Sequence, residues 1–481
     1  MRRIILFLFA LLTAFPVIGQ EQVQFRSCRP GLENVRHEHK SALRRAGTAT
    51  VNKYKGDRRQ LVVMAAFADQ GFLGDSAQTM TQWNKIFNTE YLSEGTFYGS
   101  VHDYFIDQSY GQFRLTFDLY YTTVDSMAKY RSTYTDDENS KYLVQDVSKL
   151  LMGKVDDWAP YDWDNDGEID QLLIIYAGKG KQAGGGTNTI WAHQWWLSEH
   201  KNASPVKVDS IGKDYFIDAY CCVQELSGEG DYGSFGTLCH EYSHCFGLPD
   251  FYTSNGTLLG GWDIMDNGNY NGGGFRPCNY SSYERAFLGW LTPEELKNEG
   301  TVSLPALQTQ AKAFLIRNEA WPDEYYLVEY RQRAGWDSML PGSGILIFHV
   351  DYDEQEFMWD WVNSDRRNRY SIFPANNDLD EHKNWAYPYN GNNSLTNTTE
   401  PAAELNNLNS DSTFLMSKPL TEMSVSKSMA SFRFQNMFTV VSSIKEAPFG
   451  GEWFTIDGRR IEGMPDRKGL YIHEGKVVLV R

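Results

Sequence analysis

The sequence His240-Glu-Tyr-Ser-His244, with Gly247 and Asp250 beyond it, has the ligand spacing of a zinc site on a helix. Two histidines four residues apart project from one helical face, so both imidazoles can bind a single metal ion. Glu241 then lies where a carboxylate can accept a proton from metal-activated water. A glycine at position 247 can adopt positive φ and end the helix, which brings Asp250 round as a third, oxygen ligand. The pattern therefore predicts a catalytic zinc centre.

An apolar stripe supports a helix at this position. Four large side chains recur at three- and four-residue steps, roughly opposite the two histidines: Phe235, Leu238, Tyr242 and Phe246. We therefore expect the helix to pack on one side and to bind metal on the other. The alternative is a surface helix that carries two solvated histidines.

Composition limits the classes of partner. With 481 residues, of which 41% are apolar and 14% aromatic, the chain can form two or three folded domains. Its net charge of −17 argues against nucleic acid or an anionic membrane as a partner, because either would repel the protein. The expected partners are protein or peptide substrates.

The N-terminal region predicts targeting and latency segments. Arg2-Arg3 and the apolar run from Ile4 to Val17 predict a secretory signal over residues 1–19, with an uncleaved anchor as the alternative. No later apolar stretch is long enough to predict a membrane span. Residues 20–59 are basic and polar, which indicates the pro-segment of a zymogen, cleaved near a basic pair. The protein is therefore expected to be secreted or held at the cell surface, outside the cytoplasm.

The six cysteines fit an oxidising compartment and permit up to three disulfides. Cys239 and Cys245 should not pair, because six residues of helix separate their Cα atoms by about 9 Å. Cys28, in the pro-segment, has two interpretations. Its thiolate could occupy the open zinc position until the segment is removed, or it could be an ordinary disulfide cysteine.

The remainder of the chain predicts an α/β catalytic domain over residues 60–300, a β-rich accessory domain over 301–436 and a short β tail over 437–481. In the first of these, apolar runs predict strands at Leu61–Phe67, Arg114–Tyr121 and Gln171–Ala177, and helical spacing predicts helices at Trp83–Tyr91, Val101–Gln108, Lys141–Leu151 and Pro277–Leu291. The Asn-rich segment Asn390–Asn409 is expected to be an exposed loop.

An acidic loop precedes the third predicted strand. It has alternating carboxylates and a glycine at the sixth position, as in the front half of a calcium loop, and its candidate ligands are Asp162, Asp164, Asp166, Glu168 and Asp170. Position twelve is Leu173 instead of a bidentate glutamate, so the loop is not an EF-hand. A shorter oxygen cage for calcium is predicted, and a solvated acidic turn is the alternative.

Several residues downstream of the zinc motif are candidates for supporting roles. Met265, followed by a glycine-rich stretch, predicts a methionine turn that forms an apolar floor beneath the zinc, the alternative being ordinary core packing. Tyr283 is a candidate donor to the oxyanion. Glu284 is the alternative third ligand, delivered from a second helix. His193 and the cluster His349-Val-Asp-Tyr-Asp353 are expected to be structural and not metal ligands.

Taken together, these motifs resemble the immune inhibitor A family of secreted bacterial metallopeptidases. The resemblance covers roughly residues 60–435 and is carried by His240–Asp250, Asp162–Asp170, Trp262–Met265 and Leu340–Val350. It implies a metzincin-like catalytic domain in which His240, His244 and Asp250 bind zinc, Glu241 is the base and calcium adds stability. The short N-terminal segment departs from the family, so the latency mechanism stays open.

The tail from Phe454 to Arg481 resembles the C-terminal sorting tails of Bacteroidetes proteins exported by the type IX secretion system. That resemblance implies the secretion machinery as a partner, and a simple terminal hairpin domain is the alternative.

The sequence thus predicts a secreted zinc-dependent endopeptidase. A calcium-dependent adhesin or binding protein with a structural zinc site is the alternative. Glu241 counts against it, because a closed structural site has no need of a carboxylate on its solvent side. No motif encodes the cleavage specificity, which depends on the shape of pocket loops.

Overall fold

The computed structural model describes residues 52–435, except 134–136, 210–212, 254–255 and 364–366, and most of residues 452–480. The predicted signal sequence, most of the predicted pro-segment and Cys28 lie outside the described residues. The chain divides into two compact units, one up to Gln435 and one from Asn436 onward. Among the described residues, no helix is long and apolar enough to cross a membrane.

A five-stranded sheet with the order β2-β1-β4-β8-β5 forms the centre of the first unit. Its strands are β1 (Gly56–Phe67), β2 (Phe113–Val124), β4 (Leu172–Lys179), β8 (Ala219–Leu226) and β5 (His193–Trp196). The first four run parallel and β5 is an antiparallel edge strand. Leu61–Phe67 of β1 is buried throughout, as expected for a parallel strand covered on both faces. The predicted mixed α/β class is confirmed.

Three helices accompany this sheet: α1 (Ser76–Asn88), α2 (Val101–Gln108) and α3 (Ser140–Leu151). The bounds predicted for α2 are confirmed, and α3 begins one residue early. The predicted start of α1 at Trp83 is wrong. Asp75 forms a capping box with Gln78, and this polar first turn lies ahead of the apolar positions on which the prediction depended.

The predicted boundary at residue 59/60 falls inside β1, which begins at Gly56. A 3-10 turn at Asn52–Tyr54 precedes it, and its carbonyl at Tyr54 accepts a hydrogen bond from the Trp290 indole at 2.8 Å. Arg59 contacts Asp118 of β2 through two hydrogen bonds of 2.7 and 2.6 Å. Arg58 and Arg59 thus belong to β1, and cleavage near a basic pair stays a prediction.

A small sheet β3-β7-β6 lies at the acidic loop, with β3 at Glu168–Ile169, β6 at Val206–Asp209 and β7 at Asp214–Ile217. The zinc-motif helix is α4 (Phe235–His244) and the next helix is α5 (Ser282–Phe287). The helix predicted over 277–291 is shorter than expected. Ser281 caps it through a capping box with Glu284, and Gly289 follows it with a φ of +73°.

The β-rich region contains two sheets, β14-β13-β12-β11-β9 and β10-β16-β15. Its elements are β9 (Glu294–Glu295), β10 (Gly300–Pro305), β11 (Phe314–Arg317), β12 (Glu324–Arg331), β13 (Gly344–Asp351), α6 (Glu354–Met358), β14 (Tyr370–Ile372), β15 (Leu420–Val425) and β16 (Met429–Phe434). Alternate residues of β13 enter different cores: Phe348 packs in the core of the central sheet, and Ile347 packs in the core of the β-rich region. The region predicted as a separate accessory domain is therefore part of the first compact unit.

Two asparagines anchor the loop that was predicted to be exposed. Asn407 donates to Asp351 at 3.0 Å, and Asn406 donates to the other oxygen of the same carboxylate at 3.0 Å. His349 contacts Glu324 at 2.7 Å, and the backbone N–H of Asn407 donates to Glu324 at 3.1 Å. This buried network confirms the structural interpretation of His349.

The second unit is an antiparallel sheet of four strands: β17 (Trp453–Thr455), β18 (Arg460–Ile461), β19 (Gly469–His473) and β20 (Lys476–Val480). Their order in the sheet is β18-β17-β19-β20. The predicted β tail thus forms a compact unit of its own. Its role as a sorting signal stays a prediction.

Candidate metal centre

Helix α4 carries the zinc motif through the core. All ten of its residues are buried, so the helix packs on more than the one face that was predicted. It ends at His244, and the N–H of Gly247 donates to the His244 carbonyl at 2.9 Å. Gly247 has a φ of +90°, which confirms the expected reversal of the chain.

The reversal brings Asp250 to both histidines. Asp250 Oδ1 lies 3.3 Å from His240 Nε2 and 3.3 Å from His244 Nε2. Ligand atoms bound tetrahedrally to zinc, each at 2.0–2.1 Å, are about 3.3–3.4 Å apart. The spacing of this donor set therefore fits a zinc ion.

The other ring nitrogen of each histidine fixes the orientation of the imidazole. His240 Nδ1 is 2.7 Å from the carbonyl of Ile264, and His244 Nδ1 is 2.7 Å from the carbonyl of Leu248. An Nδ1–H that donates to a carbonyl leaves the Nε2 lone pair of the same ring for a metal. Both rings are thus set in the tautomer that a metal ligand requires.

Two further hydrogen bonds hold Asp250 in place, and the sequence analysis missed both partner residues. The Tyr252 hydroxyl donates to Asp250 Oδ2 at 2.7 Å, and the backbone N–H of Asp250 donates to Asp360 Oδ1 at 2.6 Å. Tyr252 follows the motif closely and could have been noticed. Asp360 is 110 positions from Asp250, and no local pattern points to it.

Burial and mutual charge set the electrostatics of the centre. Burial raises the pKa of Glu241, and the imidazoles of His240 and His244 oppose this rise. Burial alone would lower the pKa of His240, but Asp250 and Glu241 outweigh it and raise that pKa to about 9. Burial likewise opposes ionisation of Asp250, yet the two imidazoles hold its pKa below the usual range. The carboxylates of Asp250 and Glu241 therefore stabilise positive charge at this centre.

The segment around Met265 lies against both parts of the ligand set. Ile264 supplies the carbonyl that orients His240, and the Met265 carbonyl accepts a hydrogen bond from the N–H of Phe251 at 2.9 Å. Met265 itself is fully buried. Its role as the apolar floor of the centre stays a prediction.

The structure does not bring Tyr283 or Glu284 into the ligand cluster. The Tyr283 ring is fully buried and packs against Phe251 and Tyr370, with ring centroids 5.7 and 5.0 Å apart, so its hydroxyl is not presented to a substrate. Glu284 accepts the N–H of Ser281 and caps its own helix. The alternative third ligand is therefore disfavoured, and the oxyanion role of Tyr283 has no support in the geometry.

His193 is a buried structural residue, as expected. Its Nδ1 is 2.7 Å from the Trp191 carbonyl, and its Nε2 is 3.0 Å from the Tyr220 hydroxyl.

In the described part of the chain all five cysteines are free thiols: Cys221, Cys222, Cys239, Cys245 and Cys278. Cys239 and Cys245 are thus unpaired with each other, as the helical geometry requires.

The acidic loop brings together fewer carboxylates than predicted. Asp162, Asp164 and Asp166 each offer an oxygen within 4.8 Å of the others. Asp170 instead accepts from Lys53 at 2.8 Å, and Glu168 does not belong to the convergent group. An ammonium group from Lys213 also lies 3.0 Å from Asp162. Two of the five candidate calcium ligands are therefore not part of the cluster.

Two histidines, a carboxylate at ligand distance and an adjacent buried glutamate are the residue types from which a metallopeptidase centre is built. Residues 70–291 match the model described as immune inhibitor A peptidase M6, catalytic domain. The chain is 26% identical over 281 residues to immune inhibitor A of Bacillus thuringiensis subsp. alesti, a match covering 49% of this chain and 40% of that protein. It is 25% identical over 275 residues to the pre-pro-metalloprotease PrtV of Vibrio cholerae serotype O1 (strain M66-2), covering 50% of this chain and 28% of that one.

Over residues 70–291 the chain matches the immune inhibitor A family of metallopeptidases, which confirms the resemblance that the motifs indicated. It spans less than half the length of these curated relatives.

Proposed function

We propose that the protein is a secreted zinc-dependent endopeptidase that hydrolyses peptide bonds of extracellular proteins, with a metzincin-like catalytic domain. The observation that carries this proposal is the position of Asp250 Oδ1, 3.3 Å from the Nε2 atoms of both motif histidines. The adhesin alternative is not favoured, since a buried glutamate beside the histidines suits a hydrolytic site and the matching family is one of peptidases.

His240, His244 and Asp250 would hold the zinc. When bound, the ion would polarise the scissile carbonyl and lower the pKa of a coordinated water to about 7. Glu241 would accept the proton of the attacking water and pass it to the leaving amine. Burial raises the pKa of this carboxyl, which brings its basicity closer to that needed for proton transfer near neutral pH.

The assignment of Glu241 can be tested by substitution. Glu241→Ala should retain zinc and lose peptidase activity, because the base is removed while the three ligands remain. The matched control is Glu229→Ala, an exposed glutamate in the loop before α4, which should keep full activity. Cleavage of a random peptide library, with and without chelator, measures both variants. Activity of Glu241→Ala above about a hundredth of the normal rate would contradict its role as base.

We also propose calcium as a second cofactor, at the loop of Asp162, Asp164 and Asp166. Three crowded carboxylates repel one another, and a divalent cation would relieve this repulsion. Millimolar calcium should then raise the melting temperature of the zinc-loaded protein, and Asp164→Asn should reduce that increase. An unchanged melting temperature would remove the site from the proposal.

Latency remains a proposal about the N-terminal segment. If the Cys28 thiolate occupies the zinc position, Cys28→Ser should activate the precursor before any cleavage. If Cys28 is in a disulfide, the same substitution should destabilise the precursor without activating it. Counting free thiols in the metal-stripped precursor distinguishes the two.

Export through the C-terminal tail would be tested by removing residues 437–481 and following secretion.

A further inference from the structure

Two contacts hold Asp250, the third ligand residue of the proposed zinc site: one at its side chain and one at its backbone N–H. Tyr252 Oη donates to Asp250 Oδ2 at 2.7 Å, which leaves Oδ1 as the oxygen that lies 3.3 Å from both imidazoles. A carboxylate without such a partner can rotate or bind a metal through both oxygens. A phenol bonded to Oδ2 favours ligation through Oδ1 alone.

The backbone of the same segment is held from the β-rich region. Asp360 accepts the N–H of Asp250 at 2.6 Å, and the Asn363 amide donates to the carbonyl of Phe251 at 2.6 Å. The Phe251 ring packs against Tyr370, with ring centroids 4.5 Å apart. Residues more than a hundred positions downstream therefore contact the segment that carries the third ligand.

The conformation of Asp360 suits this task. Its φ is +62°, in the left-handed region that aspartate and asparagine tolerate better than most residues. The carboxylate also contributes a charge-assisted hydrogen bond to the Asp250 N–H. Helix α6 ends at Met358, two residues before this position, and the Asp353 side chain caps its N-terminus.

We propose that Tyr252 and Asp360 are positioning residues of the metal centre: Tyr252 selects the ligating oxygen of Asp250, and Asp360 places its backbone. This inference rests on the proposed zinc site at His240, His244 and Asp250. It assigns to the β-rich region a part in assembling that site.

Zinc affinity, measured by competition with a chromophoric chelator, tests the proposal. Tyr252→Phe should bind zinc about 10–100-fold more weakly than the unmodified protein, the range expected when a hydrogen-bond partner of a metal ligand is removed. Its cobalt-substituted form should show an altered visible absorption spectrum, because the carboxylate coordination changes. Tyr326→Phe is the matched control, since it loses a comparable hydroxyl bond, to the Glu404 carbonyl in the β-rich region, and should bind zinc normally.

Asp360 is tested by a pair of variants. Asp360→Gly accepts the positive φ but removes the hydrogen-bond acceptor, so it should weaken zinc binding. Asp360→Asn keeps an acceptor oxygen at the same place and should bind zinc nearly normally. Asp353→Asn, which retains a helix cap in the same segment, is the control.

Three outcomes would overturn the inference. Tyr252→Phe could bind zinc within twofold of the unmodified protein. Alternatively, metal-free Tyr252→Phe could lose thermal stability in proportion to its loss of zinc affinity, which would indicate a general structural role for Tyr252. Finally, Asp360→Asn could bind zinc as weakly as Asp360→Gly. If the unmodified protein binds no zinc, or if Asp250→Ala binds it equally well, the proposed zinc site itself fails.

Discussion

Arg331 links the β-rich region to the segment just before α5 by a fully buried ion network. Its guanidinium donates to both oxygens of Asp337, at 2.8 and 2.7 Å, and to Glu329 at 3.2 Å. It also reaches the carbonyl of Asn279 at 2.9 Å. The side chains of Arg331, Asp337 and Glu329 have no solvent exposure. Removing one partner should therefore leave an incompletely compensated buried charge.

The perturbation is Asp337→Ala. It removes two charge-assisted hydrogen bonds from the guanidinium, and it also removes the acceptor of the Asn279 N–H, which donates to Asp337 at 2.8 Å. Breaking a buried ion pair from one side typically costs about 3–5 kcal/mol. Glu329 remains 3.2 Å from the guanidinium, so we expect a loss near the lower end, about 3 kcal/mol.

Urea unfolding followed by tryptophan fluorescence measures this loss as a change in the free energy of unfolding. The matched control is Asp214→Ala, which breaks the ion pair with Lys207 at 2.7 Å, where both side chains are about half exposed. Exposed pairs contribute about 0–1 kcal/mol, so the control should change stability little. If Asp337→Ala cost no more than Asp214→Ala, the account of the buried network would be refuted.

Two further predictions concern the same part of the core. Burial raises the pKa of Asp263 to about 7 and that of Asp266 to about 6. Between about pH 4 and 7 the folded protein therefore keeps protons that the unfolded chain releases. As the pH rises through this window, each carboxyl group should lower the free energy of unfolding by up to about 1.4 kcal/mol per pH unit. In urea unfolding, the stability of Asp263→Asn relative to the unmodified protein should therefore be greater at pH 8 than at pH 5. A difference between the two proteins that does not change with pH would contradict the raised pKa of Asp263. At Gly236 on α4, an added Cβ would collide with the Asn269 carbonyl oxygen, so Gly236→Ala should destabilise the protein by about 3 kcal/mol. Gly273→Ala, where a Cβ meets open space but φ is +67°, should cost only about 1 kcal/mol.

The local parts of the fold and site could be predicted from the sequence. The motif helix, its end before Gly247 and the position of Asp250 follow from helical spacing and from the conformational freedom of glycine. Strand β4 and helix α2 were similarly recognisable from their apolar periodicity.

The rest depends on tertiary contacts that no local pattern records. The hydrogen bond from the Asp250 backbone N–H to Asp360 joins positions 110 residues apart. Lys53 forms ion pairs with both Asp170 and Asp164, although it lies in a stretch whose composition suggested a pro-segment. Tyr283 occupies a plausible place in the sequence for an oxyanion donor, but the packing of Phe251 and Tyr370 buries it.

The central claim is that His240, His244 and Asp250 bind a catalytic zinc ion. Metal analysis of the purified protein, of Asp250→Ala and of Glu284→Gln tests it most directly. We expect one zinc ion per chain at this site in the unmodified protein and in Glu284→Gln, because Glu284 caps α5 and does not belong to the ligand cluster. Asp250→Ala should lose the zinc and the chelator-sensitive peptidase activity together. Retention of zinc by Asp250→Ala, with its loss from a folded Glu284→Gln, would contradict the account.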